Sequence, residues 1–150
     1  MKNYQRLKGL IAASFTPMDA HGKVNLSAIG KYADLMADSG MTGVFVCGTT
    51  GESLSLTTEE RKNILEQWIK SANNRFKVIA HVGNNSQVEA MELARHAAQT
   101  GADAIASMAP CFFKPETVKD LIAFFAPIAE SAKELPFYYY NMPSMTGVSL

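Results

Sequence analysis

Two short runs in this sequence have the side chains needed to bind and process a small acid. The first is Gly48-Thr49-Thr50-Gly51-Glu52, which directly follows an apolar run. Its hydroxyl and backbone N–H groups can donate hydrogen bonds to an anion, and its glycines let the backbone approach closely. A carboxylate fits such a compact set of donors better than a phosphate does. The same letters also fit a plain turn ahead of a helix capped by Thr57, so the pattern leaves both interpretations open.

The second run is Tyr138-Tyr139-Tyr140-Asn141-Met142-Pro143. Because side chains alternate along a strand, Tyr138 and Tyr140 share one face and Tyr139 lies on the other. Tyr140 is the tyrosine nearest the carboxyl end, where a phenol can exchange a proton with a neighbouring hydroxyl group. An aromatic core strand with satisfied hydroxyl groups is the alternative interpretation.

The histidines and cysteines show neither metal-site spacing nor a disulfide framework. His21, His81 and His96 are scattered, and His81 lies inside an apolar run, which is typical of a satisfied core histidine. Cys47 and Cys111 form no CxxC pair, which favours two buried thiols. This spacing predicts no metal ion, and no organic cofactor is implied.

Five continuous apolar runs recur about every 30 residues, the size of one βα unit. They span residues 10–15, 43–47, 77–82, 104–108 and 136–140. Runs that are continuous rather than alternating are typical of parallel strands buried on both faces.

The stretches between these runs predict four helices. The first ends before Gly40, and the next two begin at capping boxes on Thr57 and Ser86. The fourth is expected to start near Pro115 and to be kinked or ended by Pro127.

Alternating strands and helices build either an open doubly wound sheet or a closed barrel, and both place function at the carboxyl ends of the strands. The sequence has no GxGxxG and no GxxxxGK[ST] motif, which disfavours nucleotide binding. It supplies four βα units and a fifth strand, about half of a (β/α)8 barrel.

Composition narrows the possible partners. The 150 residues are 47% hydrophobic and 19% charged, which excludes disorder, and the formal net charge is zero. With no basic run, nucleic acid and membrane surfaces are poor partners, whereas zero net charge favours association with protein.

The longest apolar run, residues 121–129, is too short to span a bilayer, and the N-terminus shows no signal peptide. We expect a cytoplasmic protein.

Taken together, these motifs resemble the N-acetylneuraminate lyase and dihydrodipicolinate synthase family of Schiff-base aldolases. The resemblance rests on Phe15-Thr16-Pro17, on residues 48–52 and on Tyr140-Asn141-Met142-Pro143, each at a strand end. It covers essentially the whole chain but only about the first half of a family member. It implies that residues 1–150 are the N-terminal portion of a single TIM-barrel domain.

The resemblance also implies roles for three residues. Thr49 and Thr50 occupy the positions that bind the carboxylate of pyruvate or of the keto-acid substrate, and Tyr140 occupies that of the proton donor and acceptor. The family's Schiff-base lysine lies on a sixth strand, which this sequence does not include, so we expect the chain alone to be inactive. Family members are commonly tetramers, so we expect a homo-oligomer or pairing with a C-terminal half.

Two departures from the synthase pattern favour the sialic acid lyase branch. Met145 stands where synthases usually carry an arginine, and Phe112-Phe113 replaces a tyrosine pair. The expected reaction is cleavage of N-acetylneuraminate to pyruvate and N-acetylmannosamine. The alternatives are a synthase of the same family, an aldolase for another 2-keto-3-deoxy sugar acid, or a non-catalytic half-barrel.

Overall fold

The computed structural model describes residues 6–150, which form an α/β fold with five parallel strands in one sheet. The strands are β1 (Ile11–Ala13), β2 (Gly43–Val46), β3 (Lys77–His81), β4 (Ala104–Ser107) and β5 (Phe137–Tyr139). Their order in the sheet is their order in the chain. The predicted parallel α/β fold is therefore confirmed, although each strand is shorter than the apolar run that predicted it.

The helices alternate with the strands as predicted. They are α1 (Ile29–Asp38), α2 (Thr58–Ala72), α3 (Gln87–Thr100), α4 (Val118–Glu130) and a short α5 (Pro143–Thr146). The helix α1 packs on α2, and α3 packs on α4, as expected for successive βα units.

The capping boxes decide where two of these helices begin. At α2 the Glu60 N–H donates to the Thr57 hydroxyl at 3.2 Å, and the Thr57 N–H donates to the Glu60 carboxylate at 2.8 Å, which confirms the predicted box. At α3 only half of the prediction holds. The Ser86 hydroxyl accepts from the Glu89 N–H, but the Ser86 N–H donates to Oδ1 of Asn84 at 2.9 Å.

The fourth helix begins later than predicted, and Pro127 does not end it. It begins at Val118 rather than near Pro115, because Thr117 forms a capping box with Asp120. It also continues past Pro127 to Glu130. A proline cannot donate to the carbonyl four residues earlier, which here belongs to Ala123. The side chain of Gln87, on α3, donates to that carbonyl at 3.3 Å and so replaces the missing N–H.

The chain divides into two compact units, residues up to Ile79 and residues from Ala80 onward. The first unit packs around Trp68, whose indole is fully buried and lies 5.2 Å from the ring of Tyr32 and 6.4 Å from that of Phe76. The second unit has its own core, in which Ile105 and Ile128 are fully buried.

The core of the first unit also contains an unusual polar pair. Cys47 directly follows β2 and is buried, and its thiol is hydrogen-bonded by the buried guanidinium of Arg61 on α2. Burial raises the pKa of the Cys47 thiol to about 11, because the thiolate would lose its hydration, and the Arg61 cation offsets only part of this effect. The thiol is therefore protonated at neutral pH and has little nucleophilic character.

We expect the two cysteines to react at very different rates in the folded chain. A rise in pKa from 9.0 to about 11 lowers the thiolate fraction near pH 8 by about 100-fold. Cys111 is partly exposed and has no such burial, so it should be alkylated first. The measurement is the rate of alkylation of each cysteine, read by peptide mass mapping, with the denatured chain as the control. Equal rates for both thiols in the folded chain would contradict the assignment.

Candidate functional site

The threonine loop, residues 48–52, follows β2 in a conformation that few residues adopt. Cys47, which precedes the loop, and Glu52, its last residue, have left-handed backbone conformations, with φ of 54° and 57° respectively. Such angles are uncommon outside glycine and cost strain energy, so the surrounding structure must hold them. Inside the loop the Glu52 N–H donates to the Thr49 carbonyl at 3.0 Å, which closes a tight turn.

Both glycines of the threonine loop make close contacts that leave little room for a side chain. A Cβ at Gly48 would lie 2.7 Å from the ring of Phe45. One at Gly51 would lie 3.0 Å from Cα of Cys47 and 3.1 Å from the carbonyl oxygen of Ser14. These distances are shorter than van der Waals contact, so the loop backbone packs directly against the ends of β1 and β2.

A second anchor comes from the segment after β1. The hydroxyl of Thr16 donates to the Gly51 carbonyl at 2.7 Å, and Thr16 is buried. The sequence indicates Thr16 only as part of the Phe15-Thr16-Pro17 motif. It does not predict this hydrogen bond, which joins residues 35 positions apart. The bond fixes the C-terminal half of the threonine loop.

Thr49 and Thr50 are carried by this rigid turn and are half-buried. A rigid loop with two hydroxyl groups and a glycine-lined backbone can offer hydrogen bonds to an anion without a large loss of conformational entropy. The turn and the Thr57 cap of α2 are both present, so the plain-turn interpretation and the anion-site interpretation both fit the geometry. Carboxylate binding at these two threonines remains a prediction.

The second unit holds Tyr140 just beyond β5. Its N–H donates to the carbonyl of Ser107, the last residue of β4, at 2.9 Å, so the backbone of Tyr140 extends the β4–β5 ladder. The tyrosine is half-buried. By contrast, Tyr138 and Tyr139 are more than a third exposed, which does not fit a buried aromatic strand.

The chain after Tyr140 is held by its own turn. Pro143 begins α5, and the buried Thr146 donates from its hydroxyl to the Met142 carbonyl at 3.1 Å and accepts from the Val148 N–H at 3.2 Å. These bonds fix the segment on the C-terminal side of Tyr140 while β4 fixes the other side.

Two residues around Tyr140 are not marked by any motif. His81 ends β3, is buried, and accepts a hydrogen bond from the Met108 N–H, which confirms the prediction of a satisfied core histidine. Its ring also packs edge-on against the ring of Tyr140. Ser107, fully buried, donates to the Met108 carbonyl at 3.0 Å. The position of both at strand ends is the only sequence signal that could have indicated them.

No lysine among residues 6–150 is one of the last two residues of a strand. Lys77 is the first residue of β3 and is exposed. Lys114 is exposed in the loop after β4, with its amine beside Gly147.

Within the same described range, no group of three metal-ligating side chains is close enough together to hold an ion. None of the helices there has the length and apolar character needed to cross a membrane.

Comparison with known proteins agrees with the motifs. The model of the Dihydrodipicolinate synthetase family matches residues 6–150. N-acetylneuraminate lyase from Mus musculus is 47% identical over 97% of this chain, and that from Gallus gallus is also 47% identical over the same share. The match covers 46% of the mouse protein and 48% of the chicken protein, so the chain spans about half the length of these relatives.

The fold agrees as closely as the sequence. The structure of Proteus mirabilis N-acetylneuraminate lyase superposes with a TM-score of 0.94 and 40% identity, over 97% of this chain and 49% of that one. A dihydrodipicolinate synthase from Aquifex aeolicus gives a TM-score of 0.89 and 38% identity, over 95% and 48%. This chain belongs to the dihydrodipicolinate synthetase family and corresponds to the N-terminal half of its N-acetylneuraminate lyase-like members.

Proposed function

We propose that this chain is the N-terminal portion of one TIM-barrel domain and supplies half of the active site of an N-acetylneuraminate lyase. The observation that carries the proposal is the threonine loop, whose strained backbone is held at the end of β2 by the Thr16 bond and by two close glycine contacts. Strain retained at a strand end is characteristic of functional sites. The identity of 47% to lyases from vertebrates supports the choice of reaction.

In this proposal Thr49 and Thr50 bind the carboxylate of the keto acid through their hydroxyl groups. Tyr140 removes the proton from the sugar hydroxyl as the carbon–carbon bond breaks. The electron pair of that bond moves to a lysine imine, which serves as the electron sink. The lysine must come from outside residues 6–150, because no lysine in that range ends a strand.

The branch of the family is inferred from two positions. Met145 is exposed and uncharged, so it cannot pair with a second carboxylate as an arginine would. Phe112 and Phe113 are exposed and carry no hydroxyl groups. Both features favour a sugar acid over the substrates of the synthases, and we propose N-acetylneuraminate, cleaved to pyruvate and N-acetylmannosamine in the cytoplasm.

The outer strands indicate how the chain associates. Leu10, Ile11 and Phe15 are exposed along β1 and its flanks, and Tyr138 and Tyr139 are exposed on β5. These strands lie at the two edges of the described sheet, where unpaired N–H and C=O groups favour pairing with another strand. We propose that they pair with a C-terminal half or with a second copy of the chain.

The 150-residue polypeptide should therefore not behave as a stable monomer. Light scattering across a dilution series should give a mass above 16.3 kDa that falls with concentration. A compact monomer that unfolds cooperatively, with constant mass at all concentrations, would contradict this expectation.

Alone, the polypeptide should release no pyruvate from N-acetylneuraminate, because it lacks the lysine. Treatment with pyruvate and borohydride should leave its intact mass unchanged. Release of pyruvate that is abolished by Tyr140→Phe would show that the chain is active by itself.

Combining the chain with the remaining, C-terminal part of the mouse lyase should restore turnover. Tyr140→Phe should then lower kcat by about 100-fold or more, since proton transfer by a placed side chain contributes about 10²–10⁴-fold. Thr50→Val should raise KM by about 10-fold or more, because one hydrogen bond to a charged group is worth roughly 1.5–3 kcal/mol.

A matched substitution serves as the control for the same assay. Ser55→Ala removes a hydroxyl group from an exposed position, and should leave both constants unchanged. If Tyr140→Phe changed kcat no more than Ser55→Ala does, the catalytic assignment would be wrong.

A further inference from the structure

His81 is the last residue of β3 and is only 3% exposed, although its side chain is polar. A buried polar ring must be hydrogen-bonded to avoid a large desolvation cost. The backbone N–H of Met108, the residue after β4, donates to Nε2 of the imidazole at 3.3 Å. The ring is thus attached to the backbone of the neighbouring strand.

This bond determines the protonation of the ring. An N–H donor requires a lone pair on Nε2, so the imidazole is neutral and carries its proton on Nδ1. Protonation of Nε2 would break the bond from Met108 and place a charge in a buried position.

The space around the imidazole is closely defined. A Cβ at Gly83 would lie 2.7 Å from Nε2 of His81 and 3.0 Å from Oγ of Ser107. Gly83 therefore leaves just enough room for both side chains. Because Gly83 lies beside the Nε2–Cε1 edge of the imidazole and Nε2 is held by Met108, the ring has little freedom to change rotamer.

The imidazole also contacts the ring of Tyr140. The two ring centroids are 6.0 Å apart and the ring planes are at 84°, an edge-to-face arrangement. Such pairs contribute about 0.5–1.5 kcal/mol beyond the buried area and they fix the relative orientation of the rings. The Tyr140 backbone is held by Ser107, and the orientation of the phenol is set by its side-chain dihedral angles.

We infer that His81 is a positioning residue for Tyr140, holding the phenol ring in the orientation from which its hydroxyl group exchanges a proton with the substrate. This inference rests on the proposed function. A group that transfers a proton must lie within hydrogen-bond reach of its partner, and an error of about 1 Å can cost on the order of 100-fold in rate. Histidine is suited to this place because it accepts from Met108 with one ring atom and presents a flat ring to Tyr140.

The first test uses the chain combined with the remaining part of the mouse lyase. His81→Gln keeps an acceptor for Met108 but removes the ring, and His81→Phe keeps a ring but removes the acceptor. Both should lower kcat at least about 10-fold while KM changes less than about two-fold, because the carboxylate-binding threonines are untouched. His21→Gln, at an exposed loop position, is the matched control and should be unchanged.

Circular dichroism and light scattering give the folded, paired fraction, to which each rate is normalised. Unchanged kcat in both His81 variants, or a rise in KM without a fall in kcat, would overturn the inference. So would a loss of rate that disappears after normalisation, since that would show a structural role alone.

The second test does not depend on catalysis. NMR of the wild-type chain with 15N- and 13C-labelled histidine should show His81 with its proton on Nδ1, and its ring protons should be shifted by the Tyr140 ring current. Tyr140→Leu should remove that shift and leave the signals of His21 unchanged. An Nε2–H tautomer, or no response to Tyr140→Leu, would refute the positioning role. The expected spectra without lyase activity would reject the proposed function and leave the geometry of the pair established.

Discussion

The buried hydrogen bond from the Thr16 hydroxyl to the Gly51 carbonyl is the constraint on which the candidate anion site depends. It joins the segment after β1 to the loop after β2, where Cys47 and Glu52 hold left-handed backbone angles. Loss of the donor would leave a buried carbonyl unsatisfied at a cost of about 1–3 kcal/mol, comparable with the strain that the loop stores. The bond, the two glycine contacts and the Cys47–Arg61 pair act on the same few residues, so the threonines have a fixed backbone beneath them.

Tyr140, in the second unit, is held in a different way. There the backbone is fixed by the sheet itself, through the Tyr140 N–H and the Ser107 carbonyl, and the side chain is fixed by a neighbouring ring. A proton-transferring group needs directional precision in its side chain, whereas an anion site needs precision in its backbone. The candidate anion site and the candidate proton-transferring residue are each supported in a different way.

The order and type of the elements could be predicted from sequence because they depend on local patterns. Continuous apolar runs and the Thr57 capping box are read within a few residues, and both correspond to observed elements. The start of α4 was misplaced because aspartate, rather than glutamate or glutamine, completes the box at Thr117. Helix α4 runs through Pro127 because a side chain from α3 supplies the missing donor, and such a long-range bond leaves no trace in the local sequence.

The same distinction applies to the site. Thr49, Thr50, Tyr140 and Thr16 belong to recognisable runs, but the bonds that surround them are not visible in those runs. The hydrogen bonds of Thr16 and His81 join residues 35 and 27 positions apart respectively, so they depend on strand neighbours that only the fold defines. For single residues at strand ends, the local sequence pattern therefore indicates little about the role of the side chain. That role is defined by the structure.

Because the order of strands in the sheet is their order in the chain, the fold can be assembled in the direction of synthesis. A strand leaving the ribosome finds its partner already made, as β2 does with β1 and β5 with β4. Short sequence separations between partners keep the entropy of loop closure small and favour fast folding. The leading edge of the sheet then moves forward with each added unit and is covered by the next strand to emerge, whereas the edge at β1 stays open throughout.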